Sequence, residues 1–202
     1  MTAEIIRLDA ERADRAFSRC RDVVRRGGVI VYPTDTFYGI GVDPRNPQAV
    51  DRVFALKGRS PGQPLLLLLA DAAEVPEWAA RVSADAELLM KRYWPGPLTL
   101  VFEAHPKVLA AVTGGTGTIG LRVPGNDVTR RLLHDIGIAL TGTSANRSGR
   151  PGAMSAEQAA SALGDEVDLI LDAGPAAVGT PSTVLDVRSL PFNVIRTGAI
   201  AL

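Results

Sequence analysis

Short, unbroken runs of apolar residues constrain the fold of this 202-residue chain more than any other feature. Two of them, "VIVY" at residues 29–32 and "PLLLLLA" at residues 64–70, contain no charged residue. Continuous apolar runs of this length are typical of strands that are buried on both faces of a sheet. The same reasoning predicts strands at "LTLVFE", "TIGLRV", "IALT", "DLILDAG", "STVLDV" and "FNVIRTG".

Helical patterns lie between these runs. Apolar residues recur at helical spacing from Ala13 to Val24, and the pair at 27–28, Gly-Gly, ends that helix. Asn46 is a suitable N-cap before Pro47, and it predicts a helix through about residue 56. Further helices are predicted at 83–93, at 127–134 and from 155 to 164, the last with Ser155 and Gln158 as a capping box. Because helices and strands alternate, we expect one α/β domain over residues 1–202, built around a largely buried, mixed sheet.

Composition narrows the functional classes. The 22 basic residues balance the 22 acidic ones, so no overall charge attracts the chain to nucleic acid or to an anionic membrane. Any cationic site must therefore be local. A single cysteine, Cys20, excludes an intramolecular disulfide and suits a reducing compartment. The N-terminal segment has no apolar signal core, and no run is long enough to span a bilayer, so we expect a cytoplasmic protein without a membrane partner.

Several familiar motifs are absent or misplaced. The spacing Gly115-x-Gly117-x-x-Gly120 precedes a strand, whereas a dinucleotide fingerprint must precede a helix. The sequence contains no phosphate-binding G-x-x-x-x-G-K-[ST]. Ser144 lies in "GTSAN", which lacks the last glycine of a nucleophile elbow. Two isolated histidines and one cysteine do not make a zinc site, and we expect no metal ligand from the protein.

Polar loops follow several of the predicted strands. In "YPTDTFYGIG", Thr34 comes directly after the strand, and we favour a ligand contact for it over a capped turn, while Phe37 is expected in the core. In "LKGRSPGQP", Lys57 and Arg59 suit a polyphosphate, although a solvated basic loop is an equal alternative. Ser182 and Arg196 each border a short strand near the C-terminus.

Positive charge is concentrated between residues 116 and 150, where five arginines and two aspartates give a net charge of +3. Arg122 interrupts an apolar strand pattern, so it either pairs with a buried carboxylate or reaches into a cleft. The segment "TSANRSG" offers hydroxyl, amide and backbone donors after a strand, with an ordinary Ser/Asn turn as the alternative.

Taken in order, these segments resemble the YrdC/TsaC family of L-threonylcarbamoyladenylate synthases over nearly the whole chain. The resemblance is carried by "PTDTFYGIG", "LKGRSPGQPL", "WPGPLTLVF", "LRVP", "TSANRSG", "STVLDV" and "IRTGAI". It implies a YrdC-like fold, a twisted, mostly mixed β-sheet with flanking helices and a concave, positively charged cavity. It also implies synthesis of threonylcarbamoyl-AMP and pyrophosphate from L-threonine, bicarbonate and ATP with Mg²⁺. A threonylcarbamoyl transferase complex would then modify tRNA next to the anticodon, and a weak direct tRNA contact is possible.

The resemblance also implies roles for individual residues. Threonine-binding residues would be Thr34, Arg122, Gly142 and Ser182, with the Arg122 fork on the α-carboxylate. ATP-binding residues would be Lys57, Arg59, Thr118, Ser144, Asn146 and Arg196, with Asn146 chiefly ordering the Ser144 loop. Catalysis would be electrostatic, through Lys57 and Arg59, because the substrate carbamate supplies its own nucleophile.

Some positions depart from the family pattern. Asp35 stands where relatives usually have glutamate, and Thr143 replaces a usual proline. Leucines continue after "PL", where some relatives place a histidine, and the C-terminal domain of longer relatives is not expected here. Two alternatives remain open at this point. One is an RNA-binding module without catalysis, and the other is a relative that adenylates carbamoyl phosphate.

Overall fold

The structure is a computed structural model that describes residues 3–9, 11, 13–58 and 62–201. Within these residues the strands are β1 (Glu4–Arg7), β2 (Ile30–Tyr32), β3 (Gly39–Gly41), β4 (Leu66–Leu68), β5 (Leu98–Glu103), β6 (Thr118–Arg122), β7 (Leu140–Thr141), β8 (Thr143–Ser144), β9 (Leu169–Asp172), β10 (Thr183–Asp186) and β11 (Asn193–Arg196). The helices are α1 (Ala13–Arg25), α2 (Pro47–Lys57), α3 (Val75–Trp78), α4 (Ala84–Tyr93), α5 (Ala110–Thr113), α6 (Asp127–Ile136) and α7 (Ala156–Leu163), with a 3-10 helix at Ala72–Glu74.

The strands form two mixed sheets. One has the order β1-β9-β2-β3-β8, and the other has the order β11-β10-β5-β6-β4-β7. Each contains both parallel and antiparallel pairs, such as parallel β2 with β9 and antiparallel β5 with β6. The predicted mixed α/β class is therefore confirmed, although the strands are divided between two sheets rather than gathered in one. Only Gly142 separates β7 from β8, so the chain passes from one sheet to the other at this residue.

Local sequence explains where the helices begin. Asn46 caps α2 by accepting a hydrogen bond from the backbone N–H of Ala49, and Pro47 follows as the first helical residue. Helix α6 runs to Ile136, two residues past the predicted end, and stops at a left-handed glycine. Ser155 caps α7, but the Gln158 side chain accepts from the N–H of residue 154 rather than from the cap itself. The predicted capping box is thus only half formed.

Strand alternation sorts the residues of the six-stranded sheet onto two faces. In β6, Ile119 and Leu121 are fully buried in the core, whereas Thr118, Gly120 and Arg122 point to the opposite face. Strands β4, β5 and β10 continue that second face, because residues that pair across strands share a side. This second face forms the floor of the site described below.

Two further features bear on the sequence-based expectations. Cys20 is a free thiol, and it is buried on the inner side of α1. Among the described residues no helix combines the length and apolarity needed to cross a bilayer.

Candidate ligand-binding cavity

A cavity of about 390 Å³ covers the second face of the six-stranded sheet, where apolar and polar side chains are mixed. Its floor consists of side chains from β4, β5, β6 and β10, and its walls are residues 34–39 and the crossover at 142–144. Arg196 and its neighbour Ile195, on the edge strand β11, close one side. A concave site of this size, with apolar walls and a few convergent polar groups, is typical of a small-molecule binding site.

Arg122 is the charged group in the floor, and it is only 3% exposed. Its Nε donates to the carbonyl oxygen of Gly96 at 2.9 Å, and its Nη1 lies 3.4 Å from the Thr36 hydroxyl. Its Nη2 pairs with the Asp35 carboxylate. Burial lowers the pKa of Arg122, and the charge of Asp35 acts in the opposite direction. Both alternatives predicted for this residue are therefore present, since Arg122 pairs with a carboxylate and also lines a cleft.

Asp35 is itself buried, and its two carboxylate oxygens differ in their contacts with the described part of the chain. Its Oδ1 accepts from Arg122, whereas its Oδ2 has no hydrogen-bond partner among the described residues. The backbone carbonyl of Asp35 accepts from the N–H of Val178 at 3.0 Å, which holds the loop in place. The short carboxylate that departs from the family pattern is thus the counter-ion of Arg122.

Thr34 forms the capped turn that was the weaker alternative in the sequence, and it also lines the cavity. Its hydroxyl donates to the carbonyl of Phe37 at 2.6 Å. It accepts from the N–H groups of Thr36 at 3.1 Å and Phe37 at 3.2 Å. Phe37 does not enter the core as expected; it is half-buried, and its ring forms part of the cavity wall beside Gly152. Glycine at 152 leaves room for this ring.

Lys57 and Asn146 lie behind Ser144 rather than on the cavity wall. Lys57 is 5% exposed at the end of α2, so it does not belong to a solvated basic loop. Its Nζ donates to the Ser144 carbonyl at 2.7 Å and to Asn146 Oδ1 at 2.5 Å. The Ser144 hydroxyl also donates to Asn146 Oδ1, at 2.5 Å. Asn146 therefore orders the Ser144 loop, and the Lys57 charge sits directly beneath it.

Gly142 contributes backbone to the wall because no side chain would fit there. A Cβ on this residue would lie 2.7 Å from Leu68 Cγ. Its N–H donates to the carbonyl of Leu66 at 2.8 Å. Any ligand contact through Gly142 is therefore left to its carbonyl oxygen.

Ser182 and Arg196 form a second polar group on the cavity. The Ser182 hydroxyl lies 2.8 Å from the Thr99 hydroxyl and 3.1 Å from Arg196 Nη2. Arg196 also donates to the Ser182 carbonyl through Nε and Nη2. Partial desolvation and repulsion from Arg122 both lower the pKa of Arg196. The two guanidinium groups are thus close enough for their charges to interact within one cavity.

Gly198 lies close to the backbone of Pro181 and Ser182, just before β10, and this contact helps to hold the Arg196 segment in place. A Cβ at 198 would lie 2.3 Å from the carbonyl oxygen of Pro181, so only glycine fits. Thr183 anchors the same segment, because its hydroxyl accepts from the N–H groups of residues 198 and 200 at 3.1 Å each. This packing accounts for the "RTGAI" motif.

Most of the predicted site residues meet at this cavity. Those that line it are Thr34, Thr118, Arg122, Gly142, Ser144, Ser182 and Arg196. Arg59 lies outside the described residues, so its role stays a prediction. Sequence reasoning missed Thr36, Thr99 and Gly120, which also line the cavity. The two-residue alternation in "LTLVF" and "TIGLR" was the signal for the last two.

The chemistry that this lining supports is the binding of anions. Among the described residues that line the cavity none is acidic, and two are arginines. No group of His, Cys, Asp and Glu side chains within the described ranges could hold a metal ion. Two guanidinium groups, several hydroxyls and a buried lysine suit a carboxylate and phosphates.

Comparison with known proteins agrees with this chemistry. Residues 22–198 match the sequence profile of the Sua5/YciO/YrdC family, which is described as "Telomere recombination". The threonylcarbamoyl-AMP synthase of Pyrococcus abyssi is 34% identical over 179 residues, covering 89% of this chain and 53% of that protein. The threonylcarbamoyl-AMP synthase of Thiobacillus denitrificans is 36% identical over 183 residues, covering 89% of this chain and 95% of that protein.

A solved structure supports the same relationship. The crystal structure of P. abyssi Sua5 complexed with L-threonine superposes with a TM-score of 0.93 at 31% identity, over 99% of this chain and 58% of that one. The chain therefore spans about half the length of the first curated relatives that it matches. A profile match over most of the sequence and relatives above 30% identity show that the chain belongs to the Sua5/YciO/YrdC family.

Proposed function

We propose that this chain synthesises L-threonylcarbamoyl-AMP and pyrophosphate from L-threonine, bicarbonate or CO₂, and ATP. The observation that carries the proposal is the buried guanidinium of Arg122 in the floor of a cavity whose described lining has no acid. Relatives named threonylcarbamoyl-AMP synthase, and a related Sua5 structure with L-threonine, support the choice of substrates.

Arg122 is the expected site for the threonine carboxylate. The three hydrogen bonds described above use three of the five N–H donors of its guanidinium, which leaves two for a ligand. Because Asp35 and the Gly96 carbonyl hold the group in place, little side-chain freedom is lost on binding. Ser182 and the carbonyl of Gly142 lie on the same cavity and complete the proposed amino-acid site.

The proposed nucleotide site lies beside it. Thr118, Ser144 and Arg196 line the cavity, and the Lys57 ammonium lies 2.7 Å from the Ser144 carbonyl. Positive charge here would offset the charge that accumulates on the phosphates in the transition state. Since the described lining has no carboxylate, Mg²⁺ would arrive on the ATP phosphates and would offset part of their charge there.

The reaction needs no nucleophile from the protein. The threonine amine adds to CO₂ and loses a proton, which gives a carbamate. A carbamate oxygen attacks the α-phosphorus of ATP, the bond from that phosphorus to the bridging oxygen breaks, and pyrophosphate leaves. The chain's contribution is alignment, charge neutralisation and shelter of a water-sensitive carbamate.

The product would be consumed by another protein. A mixed anhydride of a carbamate and AMP is an activated acyl donor, so a transferase complex acting on tRNA is the proposed acceptor. We place this activity in the cytoplasm, and any direct contact between this chain and tRNA is expected to be weak because the net charge is zero.

The test is pyrophosphate release, with each substrate omitted in turn. All three omissions should abolish release. Arg122→Lys should raise the threonine KM about tenfold or more and change the ATP KM little, because a lysine cannot replace the planar fork. Lys57→Gln should mainly raise the ATP KM.

Equal effects of both variants on both substrates would contradict this division of roles. Tight, salt-dependent binding of bare tRNA without any ATP turnover would overturn the proposed function in favour of an RNA-binding module.

A further inference from the structure

The floor of the cavity contains a pair of buried hydroxyl groups, those of Thr99 and Ser182. Both residues are 3% exposed, and both line the cavity. Their oxygens lie 2.8 Å apart, and within the described part of the chain Ser182 is the hydrogen-bonding partner of the Thr99 hydroxyl. The Thr99 methyl group lies on the side of Gly120, since a Cβ at that glycine would be 3.4 Å from it. The Thr99 hydroxyl is therefore held toward Ser182.

Together the two hydroxyls have one proton left for a ligand. A hydroxyl group has one proton to donate and two lone pairs to accept with. The Ser182 oxygen accepts from Arg196 Nη2 at 3.1 Å, which uses one of its lone pairs. One of the two hydroxyl protons lies between Thr99 and Ser182, so the other one is available to an acceptor in the cavity.

An anion bound beside Ser182 determines which oxygen donates that proton. If Thr99 donates to Ser182, the Ser182 oxygen accepts from both Thr99 and Arg196, and its own proton is directed to the anion. Two donors on one oxygen strengthen its donation, because the members of a hydrogen-bonded chain polarise one another. If Ser182 donated to Thr99 instead, the anion would meet a lone pair of Ser182, which repels it. The first arrangement is therefore the one that an anion selects.

We propose that Thr99 is a positioning residue for the amino-acid substrate, because its proton goes to Ser182 and thereby directs the Ser182 proton to the substrate carboxylate. This inference rests on the proposed function, which places the amino acid against Arg122 and Ser182. Thr99 acts through Ser182 and needs no contact of its own with the substrate.

The experiment compares Thr99→Val, Ser182→Ala and the double variant. Threonine affinity is measured by calorimetry, and the melting temperature is measured for each protein. Valine keeps the shape of threonine without the hydroxyl, so Thr99→Val should weaken threonine binding about fivefold, as loss of one neutral hydrogen bond implies. Ser182→Ala should weaken it about tenfold. The double variant should bind threonine within about twofold of Ser182→Ala, because Thr99 has no effect once the Ser182 hydroxyl is gone.

Two further variants separate positioning from folding. Thr99→Ser keeps the hydroxyl and should restore threonine affinity to within about twofold. Thr113→Val is the matched control, because Thr113 is also buried and its hydroxyl donates to the Ala110 carbonyl at 3.1 Å, but it is not among the described residues that line the cavity. Its threonine affinity should stay within about twofold of the wild type.

The two substrates should respond differently to Thr99→Val. Both bonds from Arg196 to the Ser182 carbonyl remain in that variant, so the ATP KM in pyrophosphate release should change less than about twofold. A general distortion of the cavity floor would raise the KM of both substrates and would contradict a positioning role.

Three other results would overturn the inference. They are a Thr99→Val protein with wild-type threonine affinity, a Thr99→Ser protein as weak as Thr99→Val, and a double variant in which the two losses add. A wild-type chain that binds threonine but releases no pyrophosphate would contradict the proposed function alone, because the calorimetric comparison still measures the role of Thr99. A wild-type chain that does not bind threonine would overturn both.

Discussion

Arg122 and Arg196 bring two guanidinium groups to one cavity in opposite ways. Arg122 comes from a central strand, is 3% exposed and is paired with the buried Asp35. Arg196 comes from the edge strand β11, whose residues are all exposed, and among the described residues its hydrogen bonds go to the Ser182 carbonyl and hydroxyl. Within the described residues no carboxylate lies within 4.0 Å of Arg196.

The difference indicates a division of labour within the cavity. A guanidinium with a fixed counter-ion and a fixed carbonyl partner is preorganised for one small, rigid anion. A guanidinium without a counter-ion, on an edge strand, keeps more of its charge for a large and flexible anion such as a polyphosphate. We therefore expect anion binding at Arg122 to depend on the packing around its buried ion pair. Anion binding at Arg196 should depend more strongly on the salt concentration.

The largest expected effect comes from removing the counter-ion of Arg122. Asp35→Ala leaves a buried guanidinium without its charge partner, which should lower the free energy of unfolding by about 3–5 kcal/mol. Urea denaturation followed by circular dichroism measures the change. Asp127→Ala is the matched control, because Asp127 pairs with Arg130 but its side chain is 83% exposed.

That control should cost less than about 1 kcal/mol, since exposed ion pairs contribute little. If the two alanine variants are equally stable, the buried Asp35–Arg122 pair contributes no more to stability than an exposed pair. Arg122 and Arg196 would then not differ in the way described above.

A smaller effect is expected from Arg196→Ala. The residues of β11 are exposed, so the free energy of unfolding should fall by about 1 kcal/mol, mainly through loss of the hydrogen bonds to Ser182. The ATP KM should rise about tenfold, because one charge-assisted hydrogen bond to a phosphate is lost, while the threonine KM stays nearly constant. Steady-state pyrophosphate release with each substrate varied in turn provides both constants. A rise confined to the threonine KM would reverse the proposed assignment.

The smallest effect should come from salt alone. Raising the ionic strength from about 0.05 M to about 0.5 M shortens the screening length several-fold, which weakens exposed charges far more than buried ones. The ATP KM of the wild-type chain should therefore rise several-fold, and the threonine KM should change by less than about twofold. The same titration on Arg196→Ala should show a weaker dependence for ATP. If the ATP KM and the threonine KM rise equally with salt, the charges of Arg122 and Arg196 are screened to the same extent, which would contradict the comparison.

Much of the cavity floor could be predicted from the sequence. The apolar runs located β2, β4, β5, β6 and the C-terminal strands, and Arg122 stood out because it interrupts an apolar pattern. The family resemblance also grouped distant residues correctly, since Thr34, Ser182 and Arg196 line one cavity. Local patterns suffice where a strand presents alternate residues to the same face.

Contacts between residues far apart in the chain could not be predicted from the sequence. Strands β1, β3 and β8 were not predicted. Strand β3 begins and ends with glycine, and β8 has only two residues, so neither of these two carries a strand-propensity signal. Nor does any local pattern show that Lys57 is buried against Ser144, which is 87 residues away. The division into two sheets has the same cause, since pairing partners are chosen by tertiary packing.

Gly142 is the single residue through which the chain crosses from one sheet to the other, and it lies on the wall of the cavity. Nearby, Tyr32 of one layer donates to the carbonyl of Thr141 in the other at 2.7 Å, and Thr141 bonds Val42 in return. Any movement of the two sheets that widens the cavity must strain these hydrogen bonds. We therefore expect ligand fit and thermal stability to be linked at this point, because a wider cavity would strain the same hydrogen bonds that join the two sheets.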